Sequence, residues 1–432
     1  MQSTSKPIDF RALGIQQRKA LPRTELSLWS VKKRRHTIAH LLEEAMHGRV
    51  PSLAQLKNQR MAASAFGFFR GAVPVMAADL SLDRNTGIEC QLCGDAHVQN
   101  LGAYAGPDGR LIFDINDFDE TIRGPFEWDV KRMATSILLA GAAAHAKRGA
   151  ANAAASIFLR SYCEFMQQFA RMPILEVARF QVHRLGRVAP VSKILLKAER
   201  ETPARSVARL TEMTARGRVF RSLPPLLRPA TPGEERQVLA SLPAYTTSLL
   251  PERRHFFAQF RPLAVSFKVV GTGSVGLRDY CVLFEGNGPA DQLFLQIKQE
   301  APSAYTNYLN ATPHEHDGRR VVEGQRAMQL QSDPLLGWTD VEGRRFLVRQ
   351  LNDHKASVDV ACLKASSLAA YAAVCGELLA RGHARSGDSR TIAGYIGNQS
   401  RFNRAILGFA SAYAEQTIAD WKVFAEHQKG NT

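Results

Sequence analysis

Cysteine is scarce, with six residues scattered through 432. That is too few for a disulfide framework, so a reducing compartment is expected. Cys90 and Cys93 form a lone CxxC; without a second pair for zinc, or a helix opening after the motif, they read as buried thiols. No apolar run is long. The stretch from Ala134 to His145 falls short of the ~20 residues that cross a bilayer, and MQSTSKPIDFRALGIQQRKALPR at the N-terminus has no apolar core of signal-peptide length. A cytoplasmic protein without membrane association is therefore expected. Zinc-finger spacing, a basic zipper and aromatics interleaved with basic residues are all missing, so no specific nucleic-acid module is expected. Acidic residues are in deficit: 40 Asp and Glu against 56 Lys and Arg leave a formal charge of +16. Such a balance attracts polyanions, a nucleotide among them, without choosing between them.

The chain is long enough for two or three domains or lobes. Residues 1–25 are polar and aperiodic and read as a flexible arm. Residues 26–262 are mainly helical, with a basic helix over Trp29–Met46, an alanine-rich helix pair broken near Gly149, and an Arg-dense segment of short helices between about 183 and 260. Residues 263–355 read as a sheet-rich lobe: LAVSFKVVGTGSVGLRDYCVLFEG and DQLFLQIKQE alternate apolar and polar as antiparallel strands do, Arg319–Gln331 reads as a helix and Arg344–Gln350 as another strand. Helices return over 356–432. The fold class expected is α+β, a large helical lobe with a small antiparallel-sheet lobe.

Acid, amide and imidazole groups concentrate between Gly94 and Asp129. Asp95, His97 and Asn100 share one short loop, and Asp117 and Asp119 follow a hairpin later. The hairpin pairs Leu101–Tyr104 with Leu111–Ile115 across AGPDGR, because Pro-Asp-Gly supplies the backbone angles of a turn. Its return brings Asn116–Glu120 beside the first loop. Oxygen ligands gathered this way suit Mg2+, which is held by one or two carboxylates plus substrate phosphates. Upstream, Arg70 either caps a solvated helix end or reaches a phosphate at this site.

GTGSVG, Gly271 to Gly276, has the GxGxxG spacing but runs on into a strand, where a dinucleotide-binding turn would open a helix. Strand, glycine turn and strand make a flap over phosphates, for which Gly271, Gly273, Ser274 and Gly276 are the candidates. Lys298 on the following strand would pair with nucleotide phosphates. Glu323 on a helix, or alternatively Glu300, would hold that lysine. Phosphoryl transfer needs positioning and charge neutralisation. In that chemistry Asp95 orients the acceptor, His97 orients the loop, and Asn100 and Asp117 are metal ligands with Asp119 assisting.

At these residues GDAHVQN resembles the GDxHxxN catalytic loop of aminoglycoside and choline kinase-like phosphotransferases. INDFDE resembles their IDFxD metal loop. GPFEWDVKR resembles their GDPxYDLA segment, which makes Asp129 the brace of the loop. Along nearly its whole length the chain also resembles a bacterial family catalogued as domain of unknown function 2252 (DUF2252), through RMAASAFGFFRG, GDAHVQNLG, DINDFDET, GPFEWDVKR, VVGTGSVGLRDY, LFLQIKQE, RRFLVRQL and ARGHARSGD. The resemblance implies a protein kinase-like two-lobed fold and an ATP- and Mg2+-dependent phosphotransferase acting on an unidentified small-molecule or protein hydroxyl. Because the flap and lysine follow the catalytic loop, the fold would be circularly permuted, with His383–Asp388 ending near Gly94 and Arg385 or Asp388 at the rim. Nucleotidyl transfer to protein, a non-catalytic nucleotide-binding pseudokinase and a metal-dependent hydrolase are the alternatives.

Overall fold

The computed structural model describes residues 8–182, 188–215, 217–269, 275–309, 314–351, 356–360, 363 and 365–430, and its architecture is α+β. The alternating segment builds an antiparallel sheet. Strands Arg261–Lys268, Asp279–Glu285 and Gln292–Gln299 pair in succession; Arg344–Gln350 and Gly337–Val341 extend one side and Leu227–Pro229 the other, giving six strands. Gln292–Gln299 is thus an inner strand, and its period of two sorts its side chains between faces. Leu295 and Ile297 enter a core shared with Val238 and Tyr245 of the covering helices. Phe294, Gln296 and Lys298 take the opposite face.

The larger core belongs to the helices. Helix Phe126–Ala143 is buried over nearly its whole length, packed against Arg148–Phe169 and Ala365–Ser386. Alanine lets these helices approach closely, and large side chains such as Trp128, Tyr162 and Tyr371 fill the core between them. Among the described residues no helix is long and apolar enough to cross a membrane.

Two small β-units hold the region around the acidic loops. Glu89–Leu92 pairs with Ile122–Pro125. Between them in sequence lies the hairpin Leu101–Ala105 and Leu111–Ile115, to which Ala356–Ser357 adds a third strand. One pair is nested inside the other, so the connections 93–100 and 116–121 fall on the same side.

Several expectations are corrected. The presumed arm contains the helix Phe10–Ala20, capped by Asp9 and tied to the C-terminal helices where Thr391 Oγ1 donates to Phe10 O at 3.0 Å. Trp29–Met46 is not one helix: Thr37 caps a new start, and only Ile38–Glu44 is α-helical. The Arg-dense segment holds a ribbon, Thr211–Thr214 with Gly217–Phe220, as well as short helices. An extra helix, Ser389–Ile396, precedes the terminal Gln399–Gly430.

Candidate functional site

The nested strands bring both acidic loops to one cavity of about 380 Å³, lined by Asp95, His97, Asn100, Asp117 and Asp119 together with Glu300 from the sheet. Its size suits a small-molecule site. The first loop begins at Gly94, where φ is +79° and a Cβ would lie 2.1 Å from Glu120 O. Only glycine lets the two loops touch there. Asp129, in the first turn of helix Phe126–Ala143, accepts from the backbone N–H of Cys93 at 2.8 Å and of Gly94 at 3.1 Å. His383 stands behind it, with Nε2 3.3 Å from Asp129 Oδ2 and Nδ1 2.9 Å from the Tyr162 hydroxyl.

Asp95 is not a free carboxylate. Its Oδ1 accepts from Arg132 Nε at 2.9 Å, and its Oδ2 lies 3.4 Å from His97 Nε2. Burial raises its proton affinity, but the charge of Arg132 and the contact with His97 outweigh burial and hold it well below the usual carboxylate range. Arg132 is fully buried, lies over the Phe69 ring at 4.2 Å and donates to Phe69 O. His97 accepts at Nδ1 from the Gln99 amide at 3.1 Å, and burial lowers its proton affinity. Arg70 reaches the same place, donating to Gln99 Oε1 at 2.9 Å with its Nε 3.4 Å from His97 Nε2.

Asn100 stitches the loops together. Its Nδ2 donates to Asp95 O and Asp117 O, both at 2.9 Å, and its Oδ1 accepts from the Asp117 amide at 2.7 Å. One Oδ1 lone pair is thus engaged with backbone. Asp117 and Asp119 are a coupled pair with opposite shifts. For Asp117, burial is outweighed by Lys298 and Arg349, which lower it. For Asp119, burial and then the Asp117 charge push it up to about 6.

Lys298 crosses from the sheet to this pair. It is 2% exposed, hydrogen-bonds Asp119 Oδ2 and sits 3.7 Å from Glu300 Oε1. Burial opposes its charge, but Asp119 and Glu300 prevail and raise its pKa. Burial, reinforced by Asp119, raises Glu300 well above the carboxylate range. Asp119 Oδ1 and Glu300 Oε1 are buried without a hydrogen-bond partner, so the site holds acceptor capacity that the chain does not use. Glu323 is elsewhere: it is exposed and pairs with Arg319 at 2.7 Å.

Gly271, Gly273 and Ser274 lie outside the described residues. Gly276 is described, with φ of +97°, and its carbonyl accepts from Val50 N at 2.7 Å while Arg49 donates to Val275 O at 2.7 Å. The connector after helix Ile38–Glu44 is thereby fastened to Val275 and Gly276, the last two residues of GTGSVG. Arg385 and Asp388 line a different, smaller cavity; Arg385 donates to Ala178 O and Asp388 caps the helix that follows it. Their neighbour Ser386 does reach the β-unit, its Oγ accepting from Gln91 N at 3.2 Å.

A family model described as "Uncharacterized protein conserved in bacteria (DUF2252)" matches residues 49–427. The chain belongs to the DUF2252 family. No curated protein and no solved structure matches it. All of the site residues of this DUF2252 chain fall within the matched span.

Three positioning groups escaped sequence reasoning. Arg132 holds Asp95. Arg320 donates to Thr121 O at 2.6 Å and to Asp119 O and Ala301 O at 2.8 Å, pinning the second loop to the end of the lysine strand. Tyr305 donates to Gly94 O at 2.7 Å. Arg132 lay inside a quoted motif, three residues after Asp129, which is one helical turn, and that spacing was the available signal. Arg320 and Tyr305 had none, since their partners are backbone carbonyls about 200 residues away.

Proposed function

We propose that this DUF2252 chain is an ATP- and Mg2+-dependent phosphotransferase with a kinase-like two-lobed, circularly permuted architecture, moving a phosphoryl group to the hydroxyl of a small molecule or protein. The observation that carries the reading is the junction of Lys298 with Asp119, which closes the sheet onto both acidic loops around one cavity. Sequence order fits a permutation, because the loops at 93–121 precede Gly276 and Lys298.

The residues present fit a hard divalent cation. Asp117 and Asp119 would hold it, and the unpartnered buried oxygen of Asp119 is the acceptor it would use. Among the described residues no group of three or more His, Cys, Asp or Glu is arranged as a metal cage, and magnesium needs none when substrate phosphates complete its shell. When bound, the ion neutralises phosphate charge.

Lys298 would turn from Asp119 to the phosphates, with Glu300 limiting its travel. Asp95, kept ionised by Arg132, would accept a hydrogen bond from the acceptor hydroxyl and aim its oxygen at the γ-phosphorus. The acceptor oxygen–phosphorus bond forms as the bond from the bridging oxygen breaks, ADP leaves with that electron pair, and the hydroxyl proton passes to Asp95. Asp95 is a weak base, so its main contribution is orientation, in keeping with a loose transition state that asks little of a base.

Calorimetry with ATP, with and without Mg2+, tests the reading. Magnesium-dependent binding is expected for the wild type, lost in Asp117→Asn and weakened in Lys298→Ala. No ATP binding under either condition would refute it. Mass analysis of products then separates an added phosphoryl from an added nucleotidyl group.

A further inference from the structure

A second cavity, about 630 Å³, lies between the N-terminal segment and the start of helix Gln399–Gly430, lined by Arg18, Arg23, Arg401 and Arg404 with the small residues Thr24 and Ser27. Its lining includes no acidic side chain, and among the described residues none of the four arginines makes an ion pair. Glu25, the nearest acid in sequence, is engaged with Arg84 at 3.6 Å.

Two of the arginines are built in. Arg18 donates to Gly394 O at 2.7 Å and Arg23 to Ile396 O at 2.6 Å, the free carbonyls at the end of helix Ser389–Ile396. Gly397 makes room for them: its φ is +52° and a Cβ there would lie 2.0 Å from Arg18 Nη1. Arg18 spends one nitrogen on one carbonyl, and Arg23 spends one on two, the second being Asn398 O at 3.5 Å; each keeps the rest of its fork for another acceptor. That a helix end needs cations explains Arg18 and Arg23 alone. Arg401 and Arg404 are exposed, three apart on one helix face and within its first two turns, where both their mutual repulsion and the helix dipole disfavour positive charge. Burial, then Arg18, then Arg401 lower the pKa of Arg23, so the cluster is close enough to repel.

We propose that this groove is a second binding site, for a small, multiply charged phosphorylated molecule. Guanidinium forks match phosphate oxygens in pairs, and four of them around a small-molecule cavity suit two or more phosphate groups. The site shares no lining residue with the first cavity and does not rest on the phosphotransferase reading.

The test is titration of the full chain with sodium tripolyphosphate at physiological salt, on a Lys298→Ala background so that the first cavity contributes little. Binding is expected there, weakened at least tenfold by adding Arg401→Ala and Arg404→Ala, whose exposed side chains can be removed without loss of fold, as circular dichroism would verify. The same pair in the otherwise wild-type chain should leave any ATP turnover unchanged. Absent binding, or binding indifferent to the arginine changes, would overturn the proposal. So would capture of a single-stranded oligonucleotide without tripolyphosphate binding, which would make the groove a nucleic-acid surface.

Discussion

Lys57 offers a direct test of the charge balance beside the candidate site. It lies in helix Ala54–Ala62, 3% exposed, and among the described residues no hydrogen bond or ion pair compensates its ammonium. Burial first, then neighbouring Arg49, lowers its pKa from 10.5 to about 7, against the pull of Glu120. The folded pKa is depressed, so between pH 7 and 10.5 the unfolded chain binds a proton that the folded chain has released. Stability from this group is therefore fully present above pH 10.5 and lost as pH falls toward 7. One pKa unit is ~1.4 kcal/mol, so the cost is roughly 4 kcal/mol at pH 7 and about 2 kcal/mol at pH 9. Urea denaturation of wild type and Lys57→Met at both pH values isolates the residue. The variant should be the more stable at pH 7, and its advantage should shrink by about 2 kcal/mol at pH 9. Because Arg49 and Glu120 both line the first cavity, a polyanion bound there would ease the cost, and Mg–ATP should stabilise wild type more than Lys57→Met. Parallel pH profiles for the two proteins would refute the buried, uncompensated ammonium.

Asp95→Asn should leave ATP affinity nearly unchanged while reducing turnover by on the order of 100-fold, the scale of a lost proton acceptor; an equal loss of binding in calorimetry would make Asp95 a ligand or a fold residue. Glu300→Ala should weaken ATP binding by on the order of tenfold, because Lys298 loses the neighbour that limits its travel, whereas Glu323→Ala should be silent; the reverse ranking would refute the pairing drawn for Lys298. Asp129→Ala should cost ~2–4 kcal/mol in thermal or chemical unfolding, since two buried amides lose their acceptor, and an unchanged midpoint would mean that other groups hold the loop.

Local chemistry made parts of the fold legible in the sequence. Pro-Asp-Gly announced the hairpin, and alternation announced the strand Gln292–Gln299 that carries Lys298. Asp129 was legible as a brace only through the resemblance of its motif, GPFEWDVKR, to a loop-bracing segment, and it does accept from the Cys93 and Gly94 amides. What could not be read depends on distance in the chain. Lys298 was assigned to Glu323 because helical glutamates are the familiar partner, but helix Asp317–Met328 turns Glu323 outward to Arg319, and the lysine meets Asp119 instead. Helix Phe10–Ala20 was missed because its buried position is Gly14, which adds nothing to an apolar stripe. The Ala-rich helices were legible as helices and silent about their partners, since alanine packs equally well against any close neighbour.

The nested arrangement of the two β-units also orders events in time. The two acidic loops are joined by contacts 17 residues apart, such as Asn100 to Asp117, whereas Lys298 and Arg320 arrive from 179 and 201 residues away. Closing a short loop costs less entropy than closing a long one, so the carboxylates should be assembled before their counter-charges. Pulse-labelled hydrogen exchange would then find the Asn116 and Asp117 amides protected earlier than those of strand Gln292–Gln299. During that interval Asp117 and Asp119 would face each other without a lysine between them, and refolding should be faster at mildly acidic pH, where one shared proton does the work that Lys298 later takes over.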